Sequence, residues 1–217
     1  MKMSKKKKDY RIPQETIRRL GLYLRSLRKL QQQNFTVVSS SQITSHLNIT
    51  PDQFRKDLSY FGSLGKRGVG YSVDALIKHL ERVLGVDAEC KIIVVGVGKL
   101  GSALLAYPGF QNFNFRIVAA FDNDIGKIGR VWEGVKIENI LNMEEVVRSL
   151  GVKLAILTVP ADAAQQVAEK LVACGVRGIL NFAPTNLNLP QGIFVLNVDM
   201  ATELMFLTYF SRKNLAG

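Results

Sequence analysis

VVGVGKLGSALL, residues 94–105, places Gly96, Gly98 and Gly101 in the order G-x-G-x-x-G directly behind the apolar run Ile92, Ile93, Val94, Val95. An apolar run, closely spaced glycines and then small and aliphatic residues read as a strand, a tight turn and the opening of a helix. Backbone N–H groups at such a turn, with the positive end of the helix behind them, suit a dinucleotide pyrophosphate. Val97, Lys99 and Leu100 complete the stretch that would line it.

Outward from that turn, the chain from Lys91 alternates apolar strands with helical segments. The pattern predicts strands at 92–96, 115–121, 154–159, 178–182 and 193–197, and helices at 100–107, 143–150, 161–173 and 201–211. This is the pattern of a Rossmann-type, doubly wound parallel sheet. Asp122, at the end of the second strand, stands 21 residues past Gly101. A carboxylate there accepts hydrogen bonds from the ribose hydroxyls and repels a 2′-phosphate, which favours NAD(H) over NADP(H). Thr158, Val159 and Pro160, and the stretch Asn181 to Pro184, end two later strands, where the nicotinamide would be bordered. The alternative, a glycine turn without a ligand, is disfavoured by this context.

Charge divides the chain. Residues 1–85 hold 17 Lys and Arg against 6 Asp and Glu, whereas residues 86–217 hold 12 of each, so the whole net charge of +11 lies before the glycine motif. The seam is GVDAE, residues 85–89, giving a basic domain at 1–85 and a neutral one at 86–217. A basic module of this size implies a polyanion, nucleic acid or an acidic membrane surface. The run Lys5 to Lys8 is weak evidence by itself. No apolar run approaches ~18 residues, so no transmembrane segment is expected, and MKMSKKKKDYR leads into no signal-peptide core. Cys90 and Cys174 are far apart and unaccompanied by histidine, which fits a reduced, cytoplasmic protein without a metal site.

Within the basic half, Ile17, Leu20, Leu24, Leu27 and Leu30 have helical spacing, with Pro13 suited to a first helical position. A short helix is expected at 41–47. Thr50-Pro51-Asp52-Gln53 then reads as a capping box, and Phe54, Leu58 and Phe61 fall on one face of the helix that follows. Arg55, Lys56, Ser59 and Tyr60 are left on the other. Two short helices, the second with a basic and hydroxyl face, make a helix-turn-helix. GSLGKRGVGY, residues 62–71, reads as a wing carrying Lys66 and Arg67 toward a DNA backbone or minor groove. Lys56, Ser59 and Tyr60 would reach base edges. A helical bundle with a solvated basic face is the plainer alternative; the charge segregation, cap and wing together favour DNA.

The neutral half leaves little room for chemistry. His46 and His79 both lie in the basic half, and no nucleophile–histidine constellation is present. Tyr209-x-x-x-Lys213 imitates the catalytic pair of short-chain dehydrogenases, but it lies at the very end of the chain, and the glycine spacing is not theirs. A nucleotide site without catalytic machinery, joined to a DNA reader, is a sensor. The alternatives are an NAD(P)-dependent oxidoreductase or a CoA-binding module, since CoA-binding domains share this glycine turn. The segment ATELMFLTYF, residues 201–210, is apolar nearly all round and calls for cover from a second copy of the chain; burial at the edge of its own sheet is the other possibility.

RKDLSYFGSLGKRGVGY (55–71), GVGKLGSALLAYPGF (96–110), AAFDND (119–124), GILNFAP (178–184) and NVD (197–199) resemble the Rex family of redox-sensing transcriptional repressors, over about residues 12–210. The resemblance implies a homodimer with swapped C-terminal helices that holds a palindromic operator when NADH is scarce and leaves it when NADH rises. It implies DNA contacts by Lys56, Tyr60 and Arg67, and NADH or NAD⁺ held at Gly96, Gly98, Gly101 and Asp122. It further implies a switch in which Asp199 pairs with Arg25 in one state and with Tyr107 across the dimer in the other. Met200 stands where relatives can place an aromatic residue on the nicotinamide.

Overall fold

The computed structural model describes residues 12–66 and 68–215; Arg67 and the Lys5 to Lys8 run lie outside them. Contacts divide the chain into two compact units, Met1–Ala88 and Glu89–Gly217.

The first unit runs through α1 (Gln14–Gln32), β1 (Val37–Val38), α2 (Ser40–Thr44), α3 (Pro51–Ser59), β2 (Tyr71–Ser72) and α4 (Val73–Leu84). Pro13 is the N-cap of α1, one residue before its expected place. Leu20, Leu24 and Leu27 are buried as their period requires, but Ile17 is exposed, and Thr16 and Tyr23 take the inward positions. Those two hydroxyls face a buried acid described below. α2 opens on a full capping box between Ser39 and Gln42. α3 keeps only half of the expected one: Thr50 Oγ1 accepts the Gln53 N–H at 3.2 Å, while the Gln53 amide turns to Asp57 at 2.9 Å. A buried carboxylate is the stronger acceptor.

β1 and β2 pair antiparallel, Val38 opposite Tyr71, and the loop between α3 and β2 forms the wing of a winged helix-turn-helix. Lys66 and Gly70 exchange backbone hydrogen bonds of 3.1 and 3.0 Å. Gly70 has φ +104°, and a Cβ there would lie 2.6 Å from the Val38 carbonyl oxygen, so the turn requires glycine. α4 is absent from the sequence reading. Its inward Val73, Leu76, Ile77 and Leu80 have helical spacing, with Ser72 as N-cap and Gly85 as a left-handed C-cap, but they follow a glycine-rich stretch that reads as loop. Tyr23, Phe54 and Tyr71 stack edge to face, with centroids 4.8 and 5.3 Å apart, and so tie α1, α3 and β2 together.

The second unit contains β3 (Cys90–Val95), α5 (Lys99–Leu105), β4 (Phe115–Asp122), β5 (Val131–Trp132), β6 (Val135–Asn139), α6 (Met143–Leu150), β7 (Leu154–Leu157), α7 (Ala161–Ala173), β8 (Gly178–Asn181), β9 (Phe194–Asn197) and α8 (Met200–Leu215). The strand order is β5-β6-β4-β3-β7-β8-β9, parallel from β6 to β9. β3 alternates between two cores. Ile93 and Val95 pack with Phe121, Leu157, α6 and α7 on one face, and Ile92 and Val94 with Ala120, Ile156 and Leu105 of α5 on the other. The order in which successive strands are added reverses at β3, with β4 on one side and β7 on the other, which opens a crevice at the carboxyl ends of β3, β4 and β7.

The antiparallel edge formed by β5 on β6 departs from the expected all-parallel sheet. Glu133 and Gly134, with φ +50° and +76°, make its turn; two consecutive positive φ values suit a hairpin, but Glu is a poor advertisement for one. α8 lies open, with Leu204, Met205, Phe206, Leu207, Tyr209 and Phe210 all exposed. No helix among the described residues is long and apolar enough to cross a membrane.

Candidate functional site

At the carboxyl end of β3 the three glycines meet three different demands. Gly96 has φ +94°, and a Cβ on it would sit 2.8 Å from the Thr158 carbonyl oxygen. A Cβ on Gly101 would overlap the Gly96 carbonyl oxygen, so α5 can pack this close to the turn only through glycine. Gly98, the N-cap of α5, would present its Cβ to no described atom within 4 Å. That is open space where a ligand backbone can approach the N–H groups. Lys99 is exposed, Leu100 half-buried and Val97 buried.

Asp122, only 7 % exposed, ends β4 beside this turn. Its Oδ2 accepts the Val97 N–H at 2.7 Å and the Lys127 ammonium at 3.2 Å; its Oδ1 accepts the Asp124 N–H at 2.9 Å. Burial pushes the carboxyl pKa up, but the Asp124 and Val97 N–H groups and Lys127 more than reverse this and hold it below the usual carboxylate range. The acid is therefore an anion, fixed in place, with acceptor capacity left on Oδ1. These residues fit a ribose and pyrophosphate.

Thr158 closes the crevice from β7. Its N–H donates to the Val95 carbonyl at 2.9 Å, and its hydroxyl donates to the Gly96 carbonyl at 2.6 Å. Val159 is half-buried against the core and Pro160 is the N-cap of α7. Asn181, fully buried, donates through its amide to Asn197 Oδ1 and the Thr185 carbonyl, each at 2.9 Å, and so fixes the loop after β8. Among the described residues no group of His, Cys, Asp or Glu could hold a metal.

In the first unit α3 carries the expected basic face, with Arg55, Lys56 and Ser59 exposed and Tyr60 half-buried. Arg55 is held by its neighbours: it donates to Ser40 Oγ at 2.6 Å and forms an ion pair with Asp52. Ser59 Oγ donates to the Lys56 carbonyl at 2.6 Å. Between α3 and the wing lies an open cleft of about 940 Å³ lined by Ser39, Ser40, Arg55, Ser59 and Lys66 among others.

On the other side of α3 stands the acid that sequence reasoning missed. Asp57 is fully buried and accepts from Arg19 Nε at 2.6 Å and Nη2 at 2.8 Å, Tyr23 Oη at 2.8 Å, Thr16 Oγ1 at 3.0 Å and Gln53 Nε2 at 2.9 Å. Burial raises its pKa, and these donors, Arg19 foremost, bring it below the usual range. Burial and then Asp57 push the Tyr23 phenol up, and the bond to Asp57 raises the Arg19 guanidinium. One signal was available: Asp57 falls three residues after Phe54 and one before Leu58, on the inward stripe.

Of the three expected switch residues, Arg25 is in the first unit and Tyr107 and Asp199 in the second. Tyr107 is half exposed and stacks edge to face on Phe110 at 5.0 Å. Asp199 caps α8: Oδ1 accepts the Ala201 and Thr202 N–H groups at 3.0 and 3.3 Å, and Oδ2 accepts the Thr202 hydroxyl at 2.8 Å. These bonds, the Thr202 hydroxyl first, lower its pKa.

Comparison with known proteins extends the picture. A family model described as "CoA binding domain" matches residues 87–185, and one described as "Putative DNA-binding protein N-terminus" matches residues 11–59. A redox-sensing transcriptional repressor Rex of Carboxydothermus hydrogenoformans is 46% identical over 207 residues, covering 95% of this chain and 100% of its own. A crystal structure of RSP in complex with β-NAD⁺ and operator DNA matches with TM-score 0.88 at 30% identity over 94% of each chain. RSP in complex with β-NADH matches with TM-score 0.84 at 28% identity over 96% of this chain and 98% of that one.

Proposed function

The chain belongs to the Rex family of redox-sensing transcriptional repressors, and we propose that it reads the NADH/NAD⁺ ratio and answers by holding or releasing operator DNA. The observation that carries this reading is the pairing of the glycine turn with the Asp122 carboxylate, bonded to each other through Val97. The pyrophosphate lies on the turn from Gly96 to Gly101, the adenosine ribose against Asp122, and the nicotinamide toward Thr158, Val159 and Pro160. The nucleotide is read and not consumed; the family is one of repressors, not enzymes. The CoA-binding description reflects the shared turn. CoA carries a phosphate on its ribose, and a buried anionic Asp122 opposes it.

On the DNA side, Lys56, Ser59 and Tyr60 face base edges, and Arg55, Lys66 and Arg67 meet phosphates or the minor groove. A homodimer presents two such faces to a palindrome, with the exposed apolar α8 of each copy covered by the other. NADH opposes DNA binding only by its difference in affinity for two arrangements of that dimer. Asp199, choosing between Arg25 and Tyr107, is the bistable element. NAD⁺ competes for the site but leaves the DNA-holding arrangement favoured, because its charged nicotinamide is a poorer guest among apolar residues. The protein is cytoplasmic.

The test is operator binding measured across NADH/NAD⁺ ratios at fixed total nucleotide. Affinity falls as NADH rises; operator binding that ignores the ratio refutes the reading.

A further inference from the structure

A carboxylate offers about four hydrogen-bond acceptor positions. On Asp122, Oδ2 is filled by Val97 and Lys127, and Oδ1 holds Asp124. One position is left, on Oδ1. A ribose presents two adjacent hydroxyls, and a carboxylate that grips both as a fork needs an open position on each oxygen. The Lys127 ammonium stands where the second would be. Its turn is built to put it there: the Lys127 and Ile128 N–H groups donate to the Asp124 carbonyl at 2.9 and 3.1 Å, and the Gly126 N–H donates to Asp124 Oδ1 at 2.9 Å.

We propose that Lys127 is a second nucleotide-recognising residue of this site and that it sets how far a 2′-phosphate is tolerated. The inference rests on the nucleotide reading above and names a residue which that reading does not use. Asp122 takes one ribose hydroxyl through Oδ1. Lys127 has three N–H bonds; two are directed to Asp122 and to Asp124 Oδ2, 3.5 Å away, and the third serves the oxygen of the other hydroxyl. Its side chain is 35 % exposed, so the ammonium can reach a ligand without leaving its turn.

The charges decide the second part. Asp122 and Asp124 outnumber Lys127, so a phosphate at this rim meets net repulsion, softened by one cation that can leave Asp122 for the better acceptor. Although burial lowers the Lys127 pKa, Asp122 raises it by more, so the cation stays charged. Without it, the two acids act unopposed.

The test is calorimetric titration of the full-length chain, Lys127→Gln and Lys127→Arg with NADH and with NADPH. Lys127→Gln weakens NADH a few-fold and NADPH roughly tenfold more, widening the preference. Lys127→Arg keeps the charge and holds the ratio near the parent's. A lysine that only pinned its loop would move both ligands alike, so an unchanged ratio in Lys127→Gln, with an unaltered melting curve, overturns the proposal. A parent chain that binds no NADH overturns the nucleotide reading itself, and this inference with it.

Discussion

Val97 donates its backbone N–H to Asp122 Oδ2 at 2.7 Å, so the turn proposed to receive a pyrophosphate and the acid proposed to receive a ribose are held as one piece. Asp122→Ala removes a ligand acceptor and this tie together. NADH binding weakens by about 2 kcal/mol, roughly thirtyfold in Kd. Asp122→Asn keeps the shape, loses the charge and narrows the preference over NADPH. Titration of both variants with both nucleotides checks this.

Two glycines of one motif should fail differently. Gly98→Ala meets open space at an ordinary φ of −77°, so its melting curve matches the parent's while NADH affinity drops. Gly101→Ala drives a methyl into the Gly96 carbonyl and costs about 1–3 kcal/mol of stability as well as the ligand. Equal melting curves for the two would contradict the geometry.

Asp57 gives the DNA-facing unit an acid limit. Its folded pKa lies below the ordinary 3.8, so its contribution to stability is full above that value and drains away as pH falls through the folded one. Asp57→Asn leaves Arg19 without its ion-pair partner and costs about 3 kcal/mol at neutral pH. The difference between parent and variant then shrinks below about pH 4. Thermal melts of the full chain against pH read both effects.

On the operator, Lys56→Ala and Tyr60→Ala each cost ~1–3 kcal/mol if they read bases. Lys66→Ala and Arg67→Ala weaken binding across sequences and flatten the salt dependence. Arg55→Ala differs from all four because it also releases Ser40, and it lowers stability with no DNA present. Gel-shift titrations at two salt concentrations, beside melts, separate the three classes.

Removing the cap of α8 should uncouple the two activities. Asp199→Ala binds NADH nearly as the parent does but loses most of a response that, at a hundredfold, corresponds to about 2.7 kcal/mol of coupling. A chain cut after Asp199 loses α8 and gives monomers or insoluble protein. A parent-like NADH response on operator DNA in Asp199→Ala would sink the relay.

The nucleotide turn is legible because its main constraints are short-range: Gly96 takes a φ of +94°, its carbonyl excludes a side chain on Gly101 five residues later, and Asp122 follows at the end of the next strand. Helix α3 is legible for the same reason, through Thr50 and the Phe54–Leu58 spacing. Asp57 escapes because its donors Thr16, Arg19 and Tyr23 stand 34–41 residues upstream, beyond any local pattern. β5 escapes because two residues and a Glu-Gly turn carry no periodicity. Lys127 escapes because a lysine in a loop looks like any solvated charge until Asp122 is seen beside it.

Thr158 reaches across from β7 to hold the Gly96 carbonyl at 2.6 Å, so the turn proposed to cradle a phosphate is braced by the chain's own hydrogen bonds. A turn braced in this way would need little ordering on contact, which would spare association the delay that a conformational step imposes. On the proposed reading, the pace of the response would then be set by the rearrangement of the dimer and the departure of ligand or DNA, not by the building of a site.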